Sequence, residues 1–227
     1  MKIPETIPVK RITLRSIGAE ALAQLNLEKG LGYTIKQLVV APGKMIQEYL
    51  FEDRSRITKP LTLVLLVATI TAFISLRYLP ADGALEKELA KGNIPKNLLP
   101  AITLLIKLTR QYFNLVLMSS LPALALGSYL MFREKRLNYA EHLIINMYIF
   151  AIQTIAQLLF LPFLDKLPWL GVGAGALSIG YFLYAMVRIF DISWVEAIWK
   201  SVVIYMIAQV IQMLVFGIIF LFFWIFA

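Results

Sequence analysis

Residues 201–226 form an uncharged and predominantly apolar run that is long enough to cross a lipid bilayer. A hydrocarbon core about 30 Å thick needs roughly 20 such residues in a helix, which satisfies its own backbone hydrogen bonds. Four further runs are similarly long and apolar, two of them with an arginine near the end (Arg77 and Arg188), and only 16% of the residues are charged. We therefore predict an all-α integral membrane protein with five transmembrane helices, the second interrupted at Pro122. The predicted spans are about residues 60–79, 112–132, 143–164, 170–189 and 201–226.

Lysine and arginine are unevenly distributed between the two sides of these spans. Fifteen lie before the first span, between the second and third, or between the fourth and fifth, and five lie on the opposite side. Because cytoplasmic segments carry the excess of cations, we predict the N-terminus in the cytoplasm and the C-terminus outside. Residues 1–59 are then a basic cytoplasmic segment, and residues 60–227 are the transmembrane domain. Topology accounts for the net charge of +8, so no nucleic-acid partner is predicted.

Two other segments are apolar without being predicted spans. Residues 97–111 contain Lys107 and Arg110, whose burial in lipid is costly, so we predict an interfacial helix; a re-entrant piece lining a pathway is the alternative. Residues 16–50 predict two short amphipathic helices separated at residues 30–32 (Gly-Leu-Gly), and a third helix that begins at Pro42. We interpret these helices as a collar lying on anionic headgroups.

The third and fifth spans are preceded by the same capping pattern. Asn138 and Glu141 stand three residues apart before the third span, and Ser193 and Glu196 do so before the fifth. In such a capping box each side chain bonds to the backbone amide of the other residue. His142, the only histidine, follows Glu141, whereas alanine follows Glu196. Capping explains both copies, so the pattern favours a structural role for these acids over catalysis.

Polar side chains recur along one face of each of these two spans. They are Asn146, Gln153 and Gln157 in the third, and Gln209 and Gln212, with Ser201 and Tyr205, in the fifth. Because amides that meet lipid go unsatisfied, both faces are expected to point inward. One interpretation is hydrogen bonding between helices that stabilises the bundle. The other is a polar pathway or a headgroup pocket between spans three and five.

The sequence offers few groups for chemistry. It has no cysteine and one histidine, and no phosphate-binding loop, zinc-ligand spacing or nucleophile motif is present. We therefore predict no catalytic residue, metal or cofactor. A membrane enzyme acting on lipid headgroups, with Glu141, His142, Arg188 and Glu196 at the cytoplasmic surface, is an alternative.

Three stretches, PGKMIQEYLFEDRSRITKP, YAEHLIINMY and RIFDISWVEAIWK, carry a resemblance to known proteins. Together they resemble an uncharacterised bacterial multispan membrane family that usually has a cysteine-rich zinc ribbon ahead of its first span. The resemblance implies a bacterial inner membrane location and carries over no activity. The chain departs from the pattern because it has no cysteine for a zinc ribbon. The number of spans and the N-terminal segment also look like the Yip family of trafficking proteins.

These observations favour a non-enzymatic helical bundle or scaffold that binds anionic membrane lipids or a protein partner. A cytoplasmic protein would bind at residues 1–59, and homo-oligomerisation is left open. The candidates for headgroup or partner binding are His142, Arg133, Arg136, Arg188 and Lys200. A channel or transporter lined by the polar faces of spans three and five is the main alternative.

Overall fold

All regular structure described in the chain is helical. A computed structural model describes residues 27–78, 113–164 and 169–226, together with the single positions Ile102 and Leu167. Two short 3-10 helices, Arg133–Lys135 and Leu161–Phe163, accompany seven α-helices. The α-helices are α1 (Leu27–Val40), α2 (Pro42–Phe51), α3 (Pro60–Tyr78), α4 (Phe113–Met131), α5 (Tyr139–Phe160), α6 (Leu170–Phe190) and α7 (Trp194–Phe226). The all-α prediction is confirmed for this part of the chain.

Three helical segments have the length and apolar character needed to cross a membrane. Within the described residues these are Tyr139–Phe163, Leu170–Phe190 and Trp194–Ile218, and Pro60–Ile74 is a shorter apolar helix. The chain is therefore a helical membrane protein. Five spans, their orientation and the division at residue 60 remain predictions. The predicted interfacial helix at residues 97–111 lies outside the described ranges, apart from Ile102.

The predicted helix boundaries agree with the structure to different degrees. Helices α3 and α6 lie within one residue of their predicted ends, whereas α5 and α7 begin at their caps, four and seven residues before the predicted spans. Their first turns contain charged or polar groups, which hydropathy excludes. The predicted interruption at Pro122 was wrong, because α4 continues through it. The Pro122 carbonyl accepts a hydrogen bond from the Tyr139 hydroxyl at 3.2 Å.

The predicted break at residues 30–32 was also wrong, because α1 is continuous through both glycines. A Cβ on Gly30 would lie 2.7 Å from the carbonyl oxygen of Arg56, so glycine permits the chain before α3 to approach α1 closely. The hydroxyl of Thr34 accepts from the amide of Thr58 at 2.9 Å at the same crossing. Here the glycine serves packing between segments and does not end a helix.

Helix α5 lies at the centre of the bundle. It packs against α3, α4 and α6, and its buried side chains include Ile145, Tyr148 and Ile149. The hydroxyl of Tyr148 donates to the carbonyl of Thr58 at 2.7 Å, which ties the start of α3 to α5. Helix α7 packs mainly on α4 and less on α6. Helices α5 and α7 therefore make no extended contact with each other.

Helices α1 and α2 dock on the second half of α6. The hydroxyls of Tyr181 and Tyr184 donate to the carbonyls of Leu38 and Val40 at 3.1 and 2.8 Å. Leu38 and Met45 are fully buried in this contact region. Leu38 of the predicted apolar stripe thus packs on protein, whereas Val39 is 50% exposed, and contact of this segment with headgroups remains a prediction.

Two glycines of this segment give opposite predictions for substitution by alanine. A Cβ on Gly43 would clash with the carbonyl of Arg188 in α6, whereas a Cβ on Gly32 meets nothing within 4 Å. We expect Gly43→Ala to destabilise the protein by about 1–3 kcal/mol, because backbone atoms cannot yield as a side chain can. Gly32→Ala should be neutral or stabilise by roughly 0.5–1 kcal/mol. Thermal unfolding in detergent measures both, and equal effects would contradict the docking of α2 on α6.

Candidate functional site

The cap before α5 has the predicted form. The Asn138 side chain accepts from the Glu141 amide at 3.0 Å, and the Asn138 amide donates to the Glu141 carboxylate at 2.7 Å. Both halves of the capping box are therefore present. The carboxylate of Glu141 is engaged by backbone, which confirms the predicted cap at this residue.

The cap before α7 differs in one half. The Glu196 amide donates to the Ser193 hydroxyl at 3.2 Å, as predicted. The Glu196 carboxylate instead pairs with Lys200 at 2.8 Å, one turn further along α7. Lys200 also donates to Glu134 of the α4–α5 turn at 2.6 Å, and its ammonium lies 4.5 Å from the centre of the Phe132 ring. With only 6% of Lys200 exposed, this candidate headgroup ligand has its charge neutralised inside the protein.

His142 is buried in the interface between α4 and α5. None of its surface is exposed, and its Nδ1 lies 3.0 Å from the Ser128 hydroxyl. Asn146 donates to that hydroxyl at 2.9 Å and to the His142 carbonyl at 2.8 Å. The imidazole stacks on Phe190 and meets Tyr129 edge-on, with centroids 5.6 and 5.9 Å apart. His142 and Asn146 thus contribute to helix packing, away from the exposed arginines.

The remaining candidates for a polar face come together in a cleft between α5 and α7. Its volume is about 800 Å³, and α4 and α6 form its other walls. Gln153, Gln157 and Gln209 line it, as do Ser201 and Tyr205. Gln212 lies elsewhere and donates to Ser119 of α4 at 3.2 Å. The cleft forms because α7 packs on α4, which keeps α7 apart from α5.

Hydrogen bonds between the helices engage only part of the polar lining. Gln153 donates to the Ser178 carbonyl at 2.9 Å and lies 3.5 Å from the Tyr205 hydroxyl, and Gln157 lies 3.4 Å from the Ser178 hydroxyl. The Ser201 hydroxyl is buried and has no partner in the described part of the chain. Gln209 is exposed in the cleft and makes no hydrogen bond within the same residues. Because the Ser201 hydroxyl is enclosed by protein, Gln209 is the position of α7 whose hydrogen-bonding groups are open to the cleft.

The polar groups of the cleft lie at different depths along α7. From the start of α7, Ser201 lies about 10 Å and Gln209 about 22 Å along the helix axis. The walls are apolar and include Phe150, Phe182 and Met206. The cleft is open to the side, because Val202 is 54% exposed and Met206 is 62% exposed. The described residues therefore do not enclose the cleft on that side.

The exposed arginines do not form one site. Arg133 and Arg136 line a pocket of about 550 Å³ at the α4–α5 turn, together with Tyr129, Leu137 and Asn138. Arg188 lies at the end of α6, with its guanidinium 5.7 Å from the Tyr184 ring centre. Among the described residues, no three histidine, aspartate or glutamate side chains are grouped so that they could hold a metal.

Several residues of these sites were not singled out from the sequence. Ser178 and Ser128 are isolated serines in apolar helices, and only the pairing of helices shows that each accepts from an amide of α5. The link between Lys200 and Glu134 joins residues 66 positions apart and has no local signature. Tyr129 was not singled out either, because its contacts with Arg133 and His142 have no signature in the local sequence.

Comparison with known proteins gives a single, partial match. The model of a family described as "Protein of unknown function (DUF3667)" matches residues 28–72, which comprise most of α1, all of α2 and much of α3. This fits the expected likeness to an uncharacterised family. No curated protein matches the chain, and no solved structure does. The cleft and the arginine pocket both lie outside the matched segment.

The ion pairs of Lys200 predict a stability difference that depends on pH. The hydrogen bond from Lys200 lowers the pKa of Glu134 below the ordinary glutamate value of 4.5. Its stabilising contribution is therefore present above the unfolded-state pKa of about 4.3 and is lost as the pH falls through the lower folded-state value. We expect Glu134→Gln to lower the unfolding temperature at neutral pH by on the order of 2–4 °C.

The difference between wild type and Glu134→Gln should shrink as the pH falls below about 4 in the same unfolding measurement. Glu52→Gln is the matched control, because Glu52 is exposed and its side chain has no partner in the described residues. A difference that persists unchanged in acid, or an equal effect of Glu52→Gln, would contradict the assigned ion pair.

Proposed function

We propose that the protein is a non-enzymatic membrane bundle that binds an amphipathic lipid in the cleft between α5 and α7. The observation that carries this proposal is the combination of apolar walls with unpartnered hydrogen-bonding groups deep in the span. The amide of Gln209 needs a partner there, because a polar group left unsatisfied in an apolar medium costs free energy. An acyl or isoprenoid chain suits the walls, and a hydroxyl or carbonyl on that lipid satisfies this amide.

The proposed setting is a bacterial inner membrane, with five spans and the N-terminus in the cytoplasm. In support, the described segments that are rich in lysine and arginine lie at one end of the bundle. Helix α2 approaches the end of α6 at Arg188, and the α4–α5 turn contacts the first turns of α7 through Glu134 and Lys200. Such an end is typical of a cytoplasmic face.

A channel or transporter is the second candidate function, favoured by the amides of α5 and α7 that line the same cleft. Solute flux in proteoliposomes tests it. Flux abolished by Gln157→Leu combined with Gln209→Leu, in a folded protein, would support transport. Absence of flux in the wild type, together with bound lipid, would support the first candidate.

A bulky residue in the cleft should displace the lipid. Met206→Trp places an indole among the lining residues, whereas Met213→Trp makes the same change two turns further along α7, outside the cleft. The two methionines are 62% and 66% exposed, so the variants are closely matched. We expect Met206→Trp to lose the most tightly retained lipid, as counted by native mass spectrometry after stepwise delipidation, and Met213→Trp to keep it.

Gln209→Leu provides a second variant that removes a polar partner without filling space. We expect it to weaken retention of a lipid bearing a hydroxyl or carbonyl by about fivefold, the value of one hydrogen bond. Equal losses in Met206→Trp and Met213→Trp would show that the lipid is bound at the general surface. A wild-type protein that retains no lipid would contradict the proposal.

A further inference from the structure

We propose that the pocket of Arg133 and Arg136 is a second binding site, specific for a phosphate-bearing anion. The site lies at the α4–α5 turn, shares no lining residue with the cleft and does not rest on lipid binding there. Arg133 and Arg136 both line a space of about 550 Å³. A phosphate monoester or diester is the ligand class that this chemistry recognises.

The acidic residues near Arg133 and Arg136 are engaged by other groups. The turn reads Arg-Glu-Lys-Arg at residues 133–136, so its own glutamate could neutralise the arginines. Glu134 is instead held by Lys200 at 2.6 Å, and Glu141 is engaged by the cap at 2.7 Å. Neither Arg133 nor Arg136 pairs with a carboxylate in the described part of the chain. The internal ion pair therefore leaves both guanidinium charges available to a ligand.

Contacts with Tyr129 position the Arg133 side chain. The Arg133 guanidinium lies 5.8 Å from the centre of the Tyr129 ring, which favours one placement of a long side chain. Tyr129 in turn packs edge-on against buried His142, whose ring is fixed by Ser128 and Phe190. The pocket thus has a rigid floor that is tied to the α4–α5 interface. His142 is a positioning residue for this site, and not a ligand.

The backbone of the α4–α5 turn brings Arg136 and Asn138 to the same pocket. Arg136 ends the 3-10 helix in the left-handed region, with φ of 57°, and the chain then reverses into the cap of α5. Asn138 uses its side-chain oxygen for that cap, so its amide NH₂ group is left to donate into the pocket. Two guanidinium groups and one amide donor suit the several acceptor oxygens of a phosphate.

Binding of soluble and lipid phosphates to the full-length protein in nanodiscs of neutral lipid tests the proposal. The probes are glycerol 3-phosphate, short-chain phosphatidylglycerol and short-chain phosphatidylcholine. We expect Arg133→Gln and Arg136→Gln each to weaken binding of an anionic probe by about tenfold, the value of one charge-assisted contact. Lys135→Gln and Arg188→Gln should leave it within about twofold, because neither residue lines the pocket.

Arg188→Gln is the closest control, because Arg188 is an exposed arginine over a tyrosine ring at almost the same distance as Arg133. Binding of phosphatidylglycerol alone identifies a lipid headgroup as the ligand, and binding of glycerol 3-phosphate as well identifies the phosphate itself; both support the site. Equal weakening in all four variants would show a diffuse basic surface and overturn the proposal. Undetectable binding of every anionic probe would also overturn it. A protein that retains no lipid in the cleft but still binds the anionic probes would contradict the proposed function alone. A protein that retains that lipid but binds no anionic probe would contradict this inference alone.

Discussion

The arrangement of the helices depends on the hydrogen bonds of the Ser128 hydroxyl. In an apolar interface, the His142 ring and the Asn146 amide would otherwise both lack a partner on α4, and such buried groups are costly. Their bonds to Ser128 fix α4 against α5, and Phe190 of α6 closes over the same imidazole. Helix α7 then packs on α4, where Gly127 allows Ile204 to approach closely. Because α4 separates α7 from α5, the cleft follows from how these helices pair.

Electrostatics at one end of the bundle follows from a single buried cation. Lys200 draws the carboxylates of Glu134 and Glu196 inward, which joins α7 to the α4–α5 turn. The same contact removes the only acid of that turn from its arginines. Burial of Lys200 therefore stabilises the fold and also leaves the arginines of the turn unpaired within the described residues. The packing of α7 and the charge of the arginine pocket are linked in this way.

Sequence patterns predict those features of the fold that depend on interactions between residues close together in the chain. The apolar runs, the start of α2 at Pro42 and both helix starts at caps follow from patterns within one or two turns. The helix breaks predicted from Gly30, Gly32 and Pro122 were wrong, because the effect of these residues depends on what packs beside them. The polar faces were identified from spacing, but which amides pair within the bundle depends on Ser128, Ser178 and Ser119 of other helices. His142 looked accessible because it follows a cap, and only the tertiary fold shows that it is covered.

The central claim is that α5 and α7 are held apart by α4 and that a lipid occupies the space between them. Electron cryo-microscopy of the protein in lipid nanodiscs tests it most directly. We predict an elongated density between α5 and α7, in contact with Met206 and with a polar atom within hydrogen-bonding distance of Gln209. Direct packing of α5 on α7, with no space between them, would contradict the account.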